Sequence, residues 1–219
     1  MLNSIVFLYE ISLSPQQLEL FIRTFGVVPW RFTSGLWLEH PEILLTLITN
    51  MFLHGGWAHI IGNMWYLWIF GDNVEDRFGA GRYLLFYIAT GIAASVLHIV
   101  FNPTSTIPAV GASGAISGVL GAYFVLFPHA RIIAVVPIFF WPFFFELPAY
   151  FYLGIWFIGQ FFSGTFSLLL PSTGGGVAWW AHIGGFVAGM AIARMAKKRL
   201  LYRPLYPDEY VPIRNLYRV

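Results

Sequence analysis

Val110-Gly111-Ala112-Ser113-Gly114-Ala115-Ile116-Ser117-Gly118-Val119-Leu120-Gly121-Ala122-Tyr123-Phe124-Val125-Leu126-Phe127 is the stretch that decides the fold. It carries no charge. From Ser113 onward it reads as an apolar helix, with Gly114, Gly118 and Gly121 in a stripe beside Ser113 and Ser117. Small residues at that spacing let helices in a membrane approach closely. A hydroxyl at the mouth of such a helix stands where a lipid-embedded chain least tolerates polar groups.

The rest of the chain has the same character. Of 219 residues, 58% are hydrophobic and 10% charged, against roughly a quarter charged in a soluble domain. The composition is that of a membrane protein. Aromatic residues make up 19% and gather at the ends of apolar runs, as rings do at the boundary of water and lipid. A net charge of +2 gives no reason to expect nucleic acid as a partner. With no Cys, disulfides, thiolate nucleophiles and Cys-ligated metals are excluded together.

Five apolar segments are expected, over about Gly56–Phe70, Tyr83–Phe101, Ser113–Phe127, Leu147–Phe162 and Ala178–Met195. The opening run Met1–Leu13 is too short for a bilayer needing about 20 apolar residues. It reads as the outer part of a first transmembrane helix whose beginning is missing, so the expected fold is an all-α membrane protein of six transmembrane helices. One membrane domain is expected over 1–219: a partial first helix over 1–13, a loop over 14–55, helices two to six over 56–195 and a tail over 196–219. The loop is polar from Ser14 to Pro41, and the connections are expected at Gly71–Arg82, Asn102–Ala112, Pro128–Glu146 and Ser163–Val177.

Basic loops stay cytoplasmic. Arg194, Lys197, Lys198, Arg199, Arg203, Arg214 and Arg218 lie at the tail, and Arg77, Arg82 and Arg131 fall in loops on its side, leaving Arg23 and Arg31 opposite. Both termini are therefore expected in the cytoplasm and the 14–55 loop outside it, in a multi-pass protein of a prokaryotic plasma membrane.

Three helices carry polar side chains that burial in lipid should exclude: His59 and Asn63, Ser113 and Ser117, and His182. At about 1.5 Å per residue, His182 lies roughly 18 Å from Arg194, His59 roughly 20 Å from Asp72, and Ser113 roughly 24 Å from His129. All three fall at a similar depth, in the outer half of a core about 30 Å thick. One such group would be an ordinary bond between helices; several at one depth point to a site. His59 and Asn63 stand four apart and share a helix face. His182, Gly185 and Gly189 share another, which lets the short Ser113 side chain reach the imidazole.

Pro103, Pro108 and Gly111 precede Ser113, so the helix is expected to start near the serine, below the membrane surface. That start aims free N–H groups and the positive end of the helix dipole at the serine oxygen. Glycines 111 and 114 on either side leave room for a substrate backbone. A serine becomes a nucleophile when a base can take its proton, and His182 is that base. No Asp or Glu lies between Asp76 and Glu146 or between Glu146 and Asp208, so the arrangement is a dyad without a carboxylate. Packing or other hydrogen bonds must orient the imidazole. His59, Asn63 and the Ser113 N–H are the candidate donors to an oxyanion. His54 and His59 are five apart and face different ways, which argues against a metal site. Ser117 is the rival nucleophile, one turn farther from the helix start.

Three motifs in order, Phe52-Leu53-His54-Gly55-Gly56-Trp57-Ala58-His59-Ile60-Ile61-Gly62-Asn63-Met64, Gly111-Ala112-Ser113-Gly114 and Ala181-His182-Ile183-Gly184-Gly185, together resemble the rhomboid intramembrane serine proteases. Gly79, beside Arg77 and Arg82, also fits. The resemblance covers about Ile43 to Met195. It implies a serine endopeptidase that hydrolyses peptide bonds in or beside transmembrane segments of membrane proteins, with Ser113 as nucleophile, His182 as general base and His59 and Asn63 at the oxyanion. His54 would be structural, holding the long loop. The resemblance implies no cofactor and no metal, and access for the substrate past a movable fifth helix, where Pro148 and Gly174–Gly176 are compatible with movement. The alternative is a non-catalytic relative that binds membrane clients. The chain departs from the family at Leu45-Thr46, where many relatives carry Trp-Arg, at Ser117, where some carry a Tyr stacked on the base, and at Val177, a position often Gly.

Overall fold

A computed structural model describes residues 1–138, 141–169 and 177–196. The tail from Lys197 and the Gly174–Gly176 stretch lie outside the described residues. In chain order the helices are α1 (Leu2–Glu10), α2 (Pro15–Phe25), α3 (Pro29–Thr33), α4 (Leu36–Glu39), α5 (Thr46–Thr49), α6 (Trp57–Phe78), α7 (Ala80–Phe101), α8 (Ser113–Leu126), α9 (Ala149–Leu169) and α10 (Trp179–Ala196). Strands β1 (Arg131–Ile138) and β2 (Trp141–Pro148) stand between α8 and α9.

α8 is the axis of the bundle. Every residue from Gly114 to Tyr123 is buried, surrounded by α6, α7, α9 and α10. Its glycines and those of α10 account for the close fit. A Cβ on Gly185 would collide with the Gly114 carbonyl, one on Gly189 with the Gly118 carbonyl, and one on Gly121 with the Phe186 carbonyl. On the flank facing α7, Cβ atoms at Gly114 and Gly118 would run into Ala94 and Thr90. The large apolar side chains, among them Phe70, Val74, Phe78, Leu120, Leu153 and Phe186, pack toward the far end of α8.

Outward faces are apolar. On α7, Leu84, Leu85, Val96 and Val100 are exposed, as are Phe151, Ile155, Ile158, Phe162 and Phe166 on α9. Such surfaces belong against lipid. By length and hydropathy α7 can cross a bilayer alone, and only 28% of its most apolar window is buried, which fits lipid contact better than a soluble core. Pro41–Phe52 with α6, bent by 81°, passes the same test as a pair. α8, at 14 residues, spans about 21 Å, less than a full bilayer core of about 30 Å.

α9 runs on from Ser163 to Leu169, where the sequence reading expects a connection, and three other connections also differ from that reading. The Ser14–Pro41 segment is helical rather than loop: Ser14 caps α2 in a reciprocal box, with the Gln17 N–H donating to Ser14 Oγ at 3.4 Å and the Ser14 N–H to Gln17 Oε1 at 3.0 Å. A Ser three residues before a Gln, with Pro15 at the first helical position, is the start signal that the segment's polarity obscures. Second, the helix after Gly56 runs through the charged Asp72–Arg77 stretch to Phe78, so the turn to α7 shrinks to Gly79 at φ 77°.

The third is Pro128–Glu146, where the chain forms an antiparallel hairpin with Val135 opposite Phe144 and Val136 opposite Phe143. Its Ile, Val and Phe residues favour strand. Apolar residues occupy both faces, so the alternation that marks a half-buried strand is missing. At the base, Arg131 donates to Glu146 at 2.6 Å.

Candidate active site

The loop that delivers Ser113 is held by the helical segment before it. Val27 and Ala109 exchange backbone hydrogen bonds of 3.0 and 2.7 Å, the Trp30 N–H donates to the Ser105 carbonyl at 3.0 Å, and the Gly111 N–H donates to the Asn50 carbonyl at 2.9 Å. Thr33 adds a side-chain bond to the Pro103 carbonyl at 2.6 Å. Gly111 then turns at φ 128°, a conformation in which an L side chain is strained. A Cβ there would also stand 2.6 Å from His59 Nε2. Both facts require glycine, and the turn ends where α8 begins, at Ser113. The first amides of α8, which have no partner within the helix, therefore open at the serine.

Ser113 Oγ lies 2.8 Å from His182 Nε2. His182 enters from α10 and is buried, and Gly185 one turn later is what allows its helix so near α8. Trp156 lies against the imidazole with its ring centroid 5.9 Å away and the planes tilted by 33°, and the Trp179 ring meets it edge-on at 6.2 Å. On the far side of the imidazole, Gln160 Oε1 is 2.6 Å from Nδ1. Sequence reading did not find Gln160 or Trp156. Both stand on α9 at a four-residue spacing, and a polar Gln in an otherwise apolar helix is the signal that marks the pair.

His59 turns its Nε2 edge toward Gly111 and accepts the Gly55 N–H on Nδ1 at 3.3 Å. Asn63, one turn along α6, is buried, and its Nδ2 has no hydrogen-bond partner. A buried amide donor without a partner is costly, and among the described residues the His54 ring nitrogens and Trp180 Nε1 share that condition. Ser117, the rival nucleophile, is 1% exposed and donates to the Ser113 carbonyl at 2.6 Å, so its hydroxyl is spent within its own helix. His54 is tied to α1 through its backbone, whose N–H donates to both Glu10 carboxylate oxygens at 3.2 Å; its ring packs edge-on against Phe7 and His59. Behind Ser113 a cavity of about 20 Å³, with Asn50, Ser95 and His98 in its wall, has room for about one water. Among the described residues no group of three His, Asp or Glu could hold a metal ion.

The rhomboid domain family matches residues 41–199. This chain belongs to the rhomboid family. It is accordingly an integral membrane protein. Among its relatives, "Rhomboid protease GluP" of Bacillus subtilis is 49% identical over 76 residues, 35% of this chain and 14% of that one. "Rhomboid protein 1, mitochondrial" of Saccharomyces cerevisiae is 32% identical over 114 residues, 49% of this chain and 33% of that one. "RHOMBOID-like protein 12, mitochondrial" of Arabidopsis thaliana is 30% identical over 177 residues, 73% of this chain and 48% of that one. The matches thus span less than half the length of each of these relatives. The rhomboid domain match contains His54, His59, Asn63, Gly111, Ser113, Gly114, His182 and Gly185, and the rhomboid relatives include bacterial and mitochondrial proteins, some of them named proteases.

Proposed function

We propose that the protein is an intramembrane serine endopeptidase that hydrolyses peptide bonds in or next to transmembrane segments of membrane proteins. The observation that carries the reading is the 2.8 Å contact between Ser113 Oγ and His182 Nε2 at the start of α8. Ser113 Oγ attacks the scissile carbonyl while His182 Nε2 takes its proton. The oxyanion that forms meets the Ser113 N–H, His59 and Asn63 Nδ2, donors already in place and needing little reorganisation. Breaking the C–N bond returns the proton from His182 to the departing amine and leaves an acyl group on Ser113. Water, for which the cavity behind the serine has room, then loses a proton to His182, attacks the ester and frees the enzyme.

The proposed topology has six membrane segments: α1 as part of the first, the bent Pro41–Phe52 and α6 pair as the second, then α7, α8, α9 and α10. Both termini are cytoplasmic and the site opens on the other side of a plasma membrane. Substrates are transmembrane proteins, no cofactor takes part, and a helical substrate must partly unwind to present its carbonyls.

The test is cleavage of a single-pass substrate by the protein in proteoliposomes, with Ser113→Ala and His182→Ala alongside. Both variants should lose cleavage. Undiminished cleavage by either overturns the dyad, and binding without cleavage by the wild type favours a non-catalytic client-binding protein.

A further inference from the structure

The base of the dyad is held from α9. Gln160 Oε1 stands 2.6 Å from His182 Nδ1, and Ser113 Oγ stands 2.8 Å from Nε2, so the two ring nitrogens are bracketed in one chain across three helices. Trp156, one turn before Gln160, lies against the same ring. We propose that Gln160 is a positioning residue for His182, its amide oxygen accepting the Nδ1–H and fixing the tautomer that leaves the Nε2 lone pair for the Ser113 hydroxyl. The proposal rests on the dyad reading above and names what orients its base.

A neutral imidazole carries one N–H. To take the serine proton, Nε2 must be the bare nitrogen, so the hydrogen must be on Nδ1 and needs an acceptor there. The amide oxygen of Gln160 supplies it. Were the amide nitrogen turned inward, it would donate to Nδ1, force the hydrogen onto Nε2 and aim that hydrogen at the serine oxygen, the tautomer that cannot act as a base. A carboxylate in Gln160's place would do the same orienting work, but at this depth it would carry the cost of an ionised group in the membrane. The amide orients without that charge, and a dyad lacking Asp or Glu nearby thereby keeps the tautomer control that a triad's carboxylate provides. The ring of Trp156 limits rotation of the imidazole about the same axis. Because both contacts come from one helix, any separation of α9 from α10 releases the base from both at once.

The test compares Gln160→Met, which keeps length and loses the acceptor, with Gln160→Glu, which keeps an acceptor oxygen. Cleavage kinetics in proteoliposomes separate kcat from KM. Ring nitrogen shifts in protein labelled with ¹⁵N-histidine report the tautomer, the His182 signals being those missing from His182→Ala. Expected are an Nδ1–H tautomer in the wild type, a kcat lower by on the order of 10²-fold in Gln160→Met, near the lower end of what general-base catalysis contributes, and KM within about twofold. The Nε2–H form should rise in Gln160→Met, and Gln160→Glu should keep the Nδ1–H tautomer and most of kcat at a pH high enough to ionise its carboxyl, where it can only accept. Unchanged tautomer and kcat in Gln160→Met overturn the proposal, as does an Nε2–H wild type. If Gln160→Met does not fold, the tautomer of the wild type decides alone, and an Nε2–H wild type overturns the proposal. Loss of cleavage in Ser113→Ala with no effect of Gln160→Met rejects the positioning role alone. Cleavage that survives Ser113→Ala rejects the dyad, while the tautomer measurement, which needs no substrate, still decides the role of Gln160.

Discussion

Gly185→Ala should cost activity without touching any polar group of the site. A Cβ at Gly185 collides with the Gly114 carbonyl oxygen, stands 3.0 Å from its carbon and 3.3 Å from the Gly118 nitrogen, all backbone atoms that cannot rotate aside. Reaching ordinary contact of about 3.5 Å requires α10 to move off α8 by well over 1 Å. His182, one turn earlier on α10, travels with it. The 2.8 Å contact with Ser113 would then lengthen to about 4 Å or more, outside hydrogen-bond range. A misplacement of about 1 Å costs on the order of 10²-fold, and overpacking of this kind lowers stability by about 1–3 kcal/mol. Initial rates of cleavage of a fluorogenic transmembrane peptide in proteoliposomes, with unfolding midpoints measured in the same lipid, read both effects. Gly154→Ala is the control, since nothing lies within 4 Å of a Cβ there, and it should match the wild type. If Gly185→Ala keeps more than half of wild-type kcat, the contact between α8 and α10 does not set the geometry of the dyad, and the reasoning is wrong.

Three further outcomes are expected. Asn63→Ala should lower kcat by about 10²–10³-fold, the effect of losing one oxyanion donor, with KM little changed in the same peptide assay. Ser117→Ala should retain cleavage, because its hydroxyl is committed to the Ser113 carbonyl; loss of cleavage comparable to Ser113→Ala would reopen the choice of nucleophile. Glu10→Ala should lower the unfolding midpoint, since it strips the His54 N–H of its acceptor at a cost of about 1–3 kcal/mol for an unpaired buried donor, while leaving kcat within a few-fold.

Local sequence was sufficient for the polar residues of the bundle and for the start of α8. Ser113, His182, His59 and Asn63 stand out because apolar segments make any polar group conspicuous, and helical spacing says which of them share a face. Turn residues before Ser113 similarly mark where the helix begins. The same contrast hid the Ser14–Pro41 helices and the hairpin after α8. In the first, polarity resembles a loop unless the cap at Ser14 is read. In the second, strands apolar on both faces have no alternation to detect.

How the imidazole is held could be settled only by tertiary packing. Gln160 and Ser113 are separated from His182 by 22 and 69 residues, and no periodicity within one helix says which face of α9 meets which face of α10. The backbone contacts at Gly185 and Gly189 set how α10 meets α8, and they involve atoms every residue shares. By itself, therefore, the sequence pointed to a membrane protein of the rhomboid family with a serine and a histidine as polar groups in apolar helices. Only the tertiary structure decided that Ser113 lies within hydrogen-bond distance of His182, and that the acceptor on the far side of the ring is an amide from α9. The physical reason is that burial chemistry is written residue by residue, whereas proximity between distant segments depends on how whole helices fit.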